Sequence, residues 1–164
     1  MPIYNQRGKI PHRRHTVFKS PEGKHYFEEH ISRLGFSDIY SNVYHVHMPT
    51  RVAKVGKFRA ITIEPLEGEH RHRHLKTFDL EPEGNWLTGR RPMMFNADVV
   101  LGTTSPVRGE SEYFYKNATC DEVHFVHKGQ GVLQSMFGRL PFGEGDYVVI
   151  PRGVIHKMIF ESDD

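Results

Sequence analysis

From Val43 onward the chain is interrupted every few residues by turn-forming chemistry, and the stretches between interruptions read as short strands. Pro82-Glu83-Gly84, Ser105-Pro106, Lys128-Gly129 and Gly143-Glu144-Gly145 supply the preset φ of proline and the freedom of glycine that chain reversals require. Stretches 43–48, 58–63, 70–80, 93–101, 113–115, 123–126, 131–137, 147–150 and 155–160 lie between such signals and are predicted as strands. One short helix is predicted near the N-terminus, between Gly23 and Gly35. There Tyr26, Phe27, His30, Ile31 and Leu34 recur at spacings near three and four, with Glu28 and Glu29 early and Arg33 late, as the helix dipole favours. Many short strands and a single helix predict an all-β fold, an antiparallel β-sandwich or barrel. Pro2, Pro11 and Pro21 among basic residues predict an extended arm, with Lys9, His12, Arg13, Arg14 and His15 read as a solvated face. Residues 1–40 are thus expected to form an arm and short helix packed on a barrel of residues 41–164.

Composition narrows the function classes. At 164 residues, 26% charged and 37% hydrophobic, the chain suits one ordinary globular domain. The apolar run Tyr147-Val148-Val149-Ile150 falls far short of the roughly 20 residues of a membrane-spanning helix. Lys and Arg total 22 against 20 Asp and Glu, a net charge of +2, so no strong field draws nucleic acid or a membrane surface. With one cysteine, Cys120, no intrachain disulfide can form, and the first residues offer no apolar signal-peptide core. A cytoplasmic location is expected, and the sequon Asn117-Ala118-Thr119 is read as chance. Twelve histidines make metal chemistry worth testing.

The most specific local pattern runs from Gly145 through five residues to Pro151, then Gly153, then two residues to His156. Gly145-Asp146 predicts a tight turn, Val148 and Ile150 alternate into a core, Pro151-Arg152-Gly153 turns the chain again, and His156 is delivered to a barrel mouth on the next strand. The pattern resembles the second signature of cupin barrels. Upstream, Glu122, six residues and Gly129 resemble the back half of the first cupin signature, and the 15 residues 130–144 match the family's spacing between the two. The front half should carry His-x-His, since alternate strand residues face the same way and can share a metal. Counting back four and six from Glu122 gives Ala118 and Lys116, one without a donor and one that repels a cation. At most Glu122 and His156 remain of four ligands, so the cupin-like jelly-roll barrel is read as lacking its metal. His124 and His127, three apart, face opposite sides of a strand.

His70-Arg71-His72-Arg73-His74 offers a second candidate, because a strand would place three imidazoles on one face, with Asp79 nearby in sequence. It reads either as a metal site or as a polar, partly exposed strand. His45-Val46-His47 repeats the geometry. The fallback metal candidates are therefore Glu122, His156, His72 and His74. No nucleophile elbow, phosphate loop, dinucleotide fingerprint, His-Glu-x-x-His or paired CxxC is present. Cys120 precedes Asp121-Glu122, whose charge opposes a reactive thiolate.

Taken together, Pro11-His12-Arg13-Arg14-His15-Thr16, Tyr44-His45-Val46-His47, His72-Arg73-His74-Leu75-Lys76-Thr77-Phe78, Asn85-Trp86-Leu87-Thr88-Gly89-Arg90-Arg91-Pro92 and the stretch from Asp121-Glu122 to Arg152-Gly153 resemble the N-terminal part of the homogentisate 1,2-dioxygenase family nearly end to end. The resemblance implies a bicupin-like fold and an Fe(II) enzyme that opens the ring of homogentisate with O2 to give maleylacetoacetate. It also implies that the iron's two histidines and one glutamate lie in a C-terminal cupin beyond this chain, so none carries over to a residue here and no iron is expected in this chain. His156 departs from what many relatives are expected to carry. The strand at 155–160 is followed by Glu161-Ser162-Asp163-Asp164, where a barrel needs a further strand to cover its edge. The expected function is the non-catalytic cupin portion, or small subunit, of a ring-cleaving dioxygenase for homogentisate, hydroquinone or a related aromatic diol. Its partner would be a catalytic C-terminal cupin or large subunit within an oligomer. Trp86, Arg90 and Arg91 are the substrate-binding candidates, as an exposed loop that could stack a ring and clamp a carboxylate; alternatively Trp86 packs an interface while the arginines pair with acids. A stand-alone cupin binding a metal or small ligand is the competing reading.

Overall fold

The structure, a computed structural model, describes residues 18–32, 34–37, 39–57, 67–69, 71–107 and 109–161. The chain divides into two compact units, residues 1–56 and residues 57–164. The expected strand at 58–63 and most of the expected arm lie outside the described residues.

In the first unit, β1 (Phe27–Ser32) pairs antiparallel with β2 (Tyr40–His45), Phe27 opposite His45 and Ser32 opposite Tyr40. This replaces the helix expected between Gly23 and Gly35. Phe27 and Ile31, four apart, share a face in a strand as they do in a helix, and pairing gives both faces partners that an isolated short helix lacks. On one face Glu29 sits opposite Val43 and reaches diagonally to His45, 2.7 Å away. On the other, the His30 and Tyr40 rings meet at 5.4 Å. Gly35, at φ 61°, serves the hairpin connection and not a helix end.

The second unit is built from small antiparallel sheets. A 3-10 turn at Thr77–Asp79 precedes β3 (Arg91–Phe95) and β4 (Val100–Thr103), which pair with each other. Next, β5 (Glu122–Phe125) pairs with β8 (Tyr147–Ile150), Glu122 opposite Ile150. A three-stranded sheet sets β6 (Gly131–Ser135) between β7 (Gly138–Phe142) and β9 (His156–Phe160). Among the described residues there is no α-helix, and none is long and apolar enough to cross a membrane. The protein is mostly β, with antiparallel pairing throughout. The strand expected at 70–80 is absent: residues 71–76 carry no regular structure and are exposed, because charged and imidazole side chains on both faces leave nothing to seat on a sheet.

The core gathers Trp86, Val126, Leu133, Phe142, Val148, Ile150, Val154 and Met158. Val148 and Ile150 point inward as their alternation predicts, while Tyr147 and Val149 point outward. The turn at Gly145-Asp146 forms, with Gly145 at φ 87° and the Asp146 carboxylate accepting from the Gly143 amide at 2.8 Å. The second turn closes through the Val154 amide to the Pro151 carbonyl, 3.3 Å.

Candidate functional site: a carboxylate saturated by donors

Asn85 builds the first wall. Its side-chain oxygen accepts from the amides of Leu87 and Thr88, both at 2.9 Å, and its own amide donates to the Thr88 hydroxyl at 3.0 Å. This local knot is why the sequence turns here rather than extending. Gly89 completes it, because a Cβ there would run into the Glu83 carbonyl. The turn buries Trp86 to 1% exposure and brings Arg90 back so that its Nε donates to the Trp86 carbonyl at 3.3 Å.

A second wall comes from the segment before β5. Tyr115 and His156 exchange backbone hydrogen bonds at 2.8 Å, and the Gly153 amide donates to the Asn117 carbonyl at 2.7 Å. The Asn117 side-chain oxygen is taken by the amides of Thr119 and Cys120, both at 3.0 Å, which leaves its NH2 free to point elsewhere.

Glu122, first residue of β5 and buried, is where these elements converge. Arg90 donates to both carboxylate oxygens, at 3.0 and 2.8 Å. Asn117 Nδ2 donates at 2.9 Å, His124 Nε2 at 3.0 Å and the Tyr115 hydroxyl at 3.3 Å. Burial works against ionisation of Glu122, yet bonds from His124, Arg90 and Asn117, with the Arg90 charge, outweigh it and hold the carboxyl well below the usual carboxylate range. The Tyr115 phenol is pushed up by burial and then by the Glu122 charge. Arg90 also lies over the Trp86 ring at 5.0 Å and the Tyr115 ring at 5.6 Å.

His156 completes the cluster but does not join the carboxylate's hydrogen bonds. It is fully buried, not displayed at an open mouth, with its ring 5.3 Å from Trp86 and 5.6 Å from Tyr115. Its Nδ1 donates to the Val154 carbonyl at 2.9 Å, since a carbonyl can only accept. Burial pushes the imidazole pKa down and keeps the ring neutral. Its Nε2 therefore offers a lone pair, and Trp86 Nε1 an N–H, each without a partner among the described residues. A hydroxyl, which can accept and donate, has the chemistry to satisfy both.

These residues do not fit a metal ion. The lone pairs of Glu122 are taken by five donors, one pair of them on a guanidinium cation, and no cluster of three or more His, Cys, Asp or Glu among the described residues is placed to hold a metal. His72 and His74 lie in exposed, irregular chain and form no such cluster with Glu122 and His156. His45 pairs with Glu29 in the first unit, and His127 packs against Phe78 at 4.6 Å. The expected exposed loop of Trp86, Arg90 and Arg91 is corrected in one respect: Trp86 is buried. The two arginines diverge. Arg90 serves Glu122, whereas Arg91 donates to the Glu81 carbonyl and the Glu83 carboxylate, both at 2.9 Å. The depression beside Arg91, lined in part by Thr77, Gly89 and Thr104, holds about 10 Å³, room for one water and far too small for an aromatic ring.

Tyr115, Asn117 and His124 escaped the sequence reading as partners of Glu122. The positions it counted, Lys116 and Ala118, are exposed, and their immediate neighbours supply the donors. The one available signal was Asn117-Ala118-Thr119, a turn-forming trio in which the asparagine NH2 is left over.

No family model matches the chain, and no solved structure matches it. It is 36% identical over 164 residues to a protein of Saccharolobus solfataricus named "Putative dioxygenase", in an alignment covering 99% of this chain and 42% of that protein. The chain thus spans less than half the length of this relative. It is homologous, over nearly all its residues, to part of a protein that carries a dioxygenase name.

Proposed function

We propose that the chain is the non-catalytic, cupin-like N-terminal part of an Fe(II)-dependent dioxygenase that cleaves an aromatic diol ring, similar to homogentisate 1,2-dioxygenase, and that it works in the cytoplasm within an oligomer. The observation that carries this reading is the alignment covering nearly all of this chain but only 42% of a dioxygenase-named relative. The site supports it from the other direction: the carboxylate a cupin would offer to a metal is engaged by Arg90 in a two-pronged pair, which favours a reading in which the catalytic cupin or large subunit holds the ring-cleaving iron. The small sheets of residues 57–164 are, on this reading, the strands of a cupin-like jelly-roll barrel. Homogentisate or hydroquinone is the substrate, both atoms of O2 entering the opened product. Arg91 is the better candidate to meet a substrate carboxylate, because its partner Glu83 is two-thirds exposed (67%) and exchangeable, whereas Arg90 is held on a buried one.

The test is oxygen uptake with homogentisate and with hydroquinone. The chain alone consumes no oxygen after Fe(II) is added, and the assembly purified from its source consumes it stoichiometrically with one of the two. Stoichiometric iron in the chain alone, lost in Glu122→Gln, would instead establish a stand-alone metal-binding cupin. One observation favours a related second reading, a stand-alone binder of a small hydroxyl compound: the two buried, unpartnered nitrogens of Trp86 and His156. That reading predicts a folded chain without a partner, whose melting temperature rises with the ligand.

A further inference from the structure

The β5–β8 pair lacks the polar outer face of a sheet with one side in water. A solvent-facing antiparallel face is ordinarily polar, with apolar residues turned inward. Here the inward face carries the Glu122 carboxylate and the His124 imidazole beside Val148 and Ile150. The outward face is Val123, Phe125, Tyr147 and Val149, each between 50% and 69% exposed. These four stand in register, Val123 opposite Val149 and Phe125 opposite Tyr147, whose rings meet at 4.8 Å. His127 extends the surface, 6.1 Å from Phe125, and Phe78 joins it against His127. Tyr147-Val148-Val149-Ile150 is apolar on both faces, the pattern of a strand covered on both sides.

We infer that the outer face of β5–β8 is the docking surface for an apolar sheet face of the catalytic part of the dioxygenase. The inference rests on the function proposed above and names the surface that function requires. The occupant follows from length and chemistry. More than half of the relative lies outside the stretch that matches this chain, so a chain of this kind has a large further body to meet. The four in-register residues include no Asp, Glu, Lys or Arg. Around the face come Asp121 with Arg152, Glu144 with Asp146, Lys128 after His127 and Lys76 before Phe78, charges of both signs and not the single-sign field that a nucleic acid or an anionic membrane needs. A face of this size covers on the order of a few hundred Å². That is well under the roughly 800 Å² per partner of a stable dimer, so it suits one part of a wider interface with another body better than a self-contained homodimer.

The experiment uses the assembly purified from its source, with a photo-crosslinking phenylalanine at position 147 and, as a control, at Leu140, exposed on β7. Position 147 is expected to crosslink to an apolar strand of the iron-bearing part while position 140 does not. Tyr147→Glu is expected to leave the chain's own melting temperature unchanged yet weaken its association roughly thirtyfold, as for a central interface residue. A crosslink to a second copy of this chain, or an iron-bearing assembly unaffected by Tyr147→Glu, overturns the docking surface and leaves the proposed function standing. An assembly with no iron and no polypeptide beyond this chain overturns both.

Discussion

Arg90 is the residue on which the buried cluster turns, because Glu122 is ionised inside the protein and, among the described residues, Arg90 is the permanent positive charge paired with it. Arg90→Ala is expected to destabilise by about 3 kcal/mol in chemical denaturation, the usual consequence of leaving a buried charge without its partner. Arg90→Lys restores the charge but not the two-pronged fork, so it should fall between. Arg90→Ala combined with Glu122→Gln should lose clearly less than the two single changes added together, which a double-mutant cycle measures. The acid response has two windows. His156 has a folded pKa below its ordinary 6.5, so below 6.5 the unfolded chain binds a proton that the folded chain resists, and stability falls as pH drops from there. Glu122 is lowered from 4.5, so its contribution is intact above 4.5 and is lost as pH falls further. His156→Asn should abolish the first decline and keep the second in urea titrations between pH 7 and pH 3. Glu122, His156 and Arg90 could be picked out from the sequence by type and spacing. That Arg90 answers Glu122 could not, since the pair is 32 residues apart and joined only by the fold.

At the scale of elements, what misled was chain reversal inside a predicted strand. Residues 93–101 read as one strand, yet Asn96 folds β3 back onto β4 by accepting from the amides of Asp98 and Val99 at 2.9 and 2.7 Å. Stretch 131–137 hides a second reversal, which Gly138 closes at φ 119°. β7 follows at once through Met136 and Phe137, and its Pro141 is tolerated because β7 is an edge strand. The helix expected between Gly23 and Gly35 failed because the four-residue spacing of Phe27 and Ile31 fits both periods, and a partner strand decides between them. Where alternation and a glycine or proline turn agreed, as around Tyr147–Ile150, the strand was legible to the residue. The three-stranded sheet carries its own prediction. Gly131 faces Phe142 on one side and Phe160 on the other, and a Cβ there would meet the Ile159 carbonyl and the Phe142 ring. Gly131→Ala should cost about 1–3 kcal/mol through overpacking, read as a lower melting temperature.

For the molecule as a whole, the described residues of the second unit combine a buried Glu122 carboxylate saturated by donors with an apolar outer sheet face. On the function proposed above, that combination suits a part that shapes and docks an enzyme. The sequence conveyed the all-β character and the dioxygenase resemblance, but which side of β5 turns outward depends on partners that no local pattern reports. Native mass spectrometry of the protein purified from its source by an N-terminal tag, with iron determined on the same sample, tests the account most directly. The expected result is a mass that is not a simple multiple of 19.1 kDa, from a second chain or a longer polypeptide, with iron present in it and absent from the 19.1 kDa chain alone. A simple multiple of 19.1 kDa holding its own metal would contradict it.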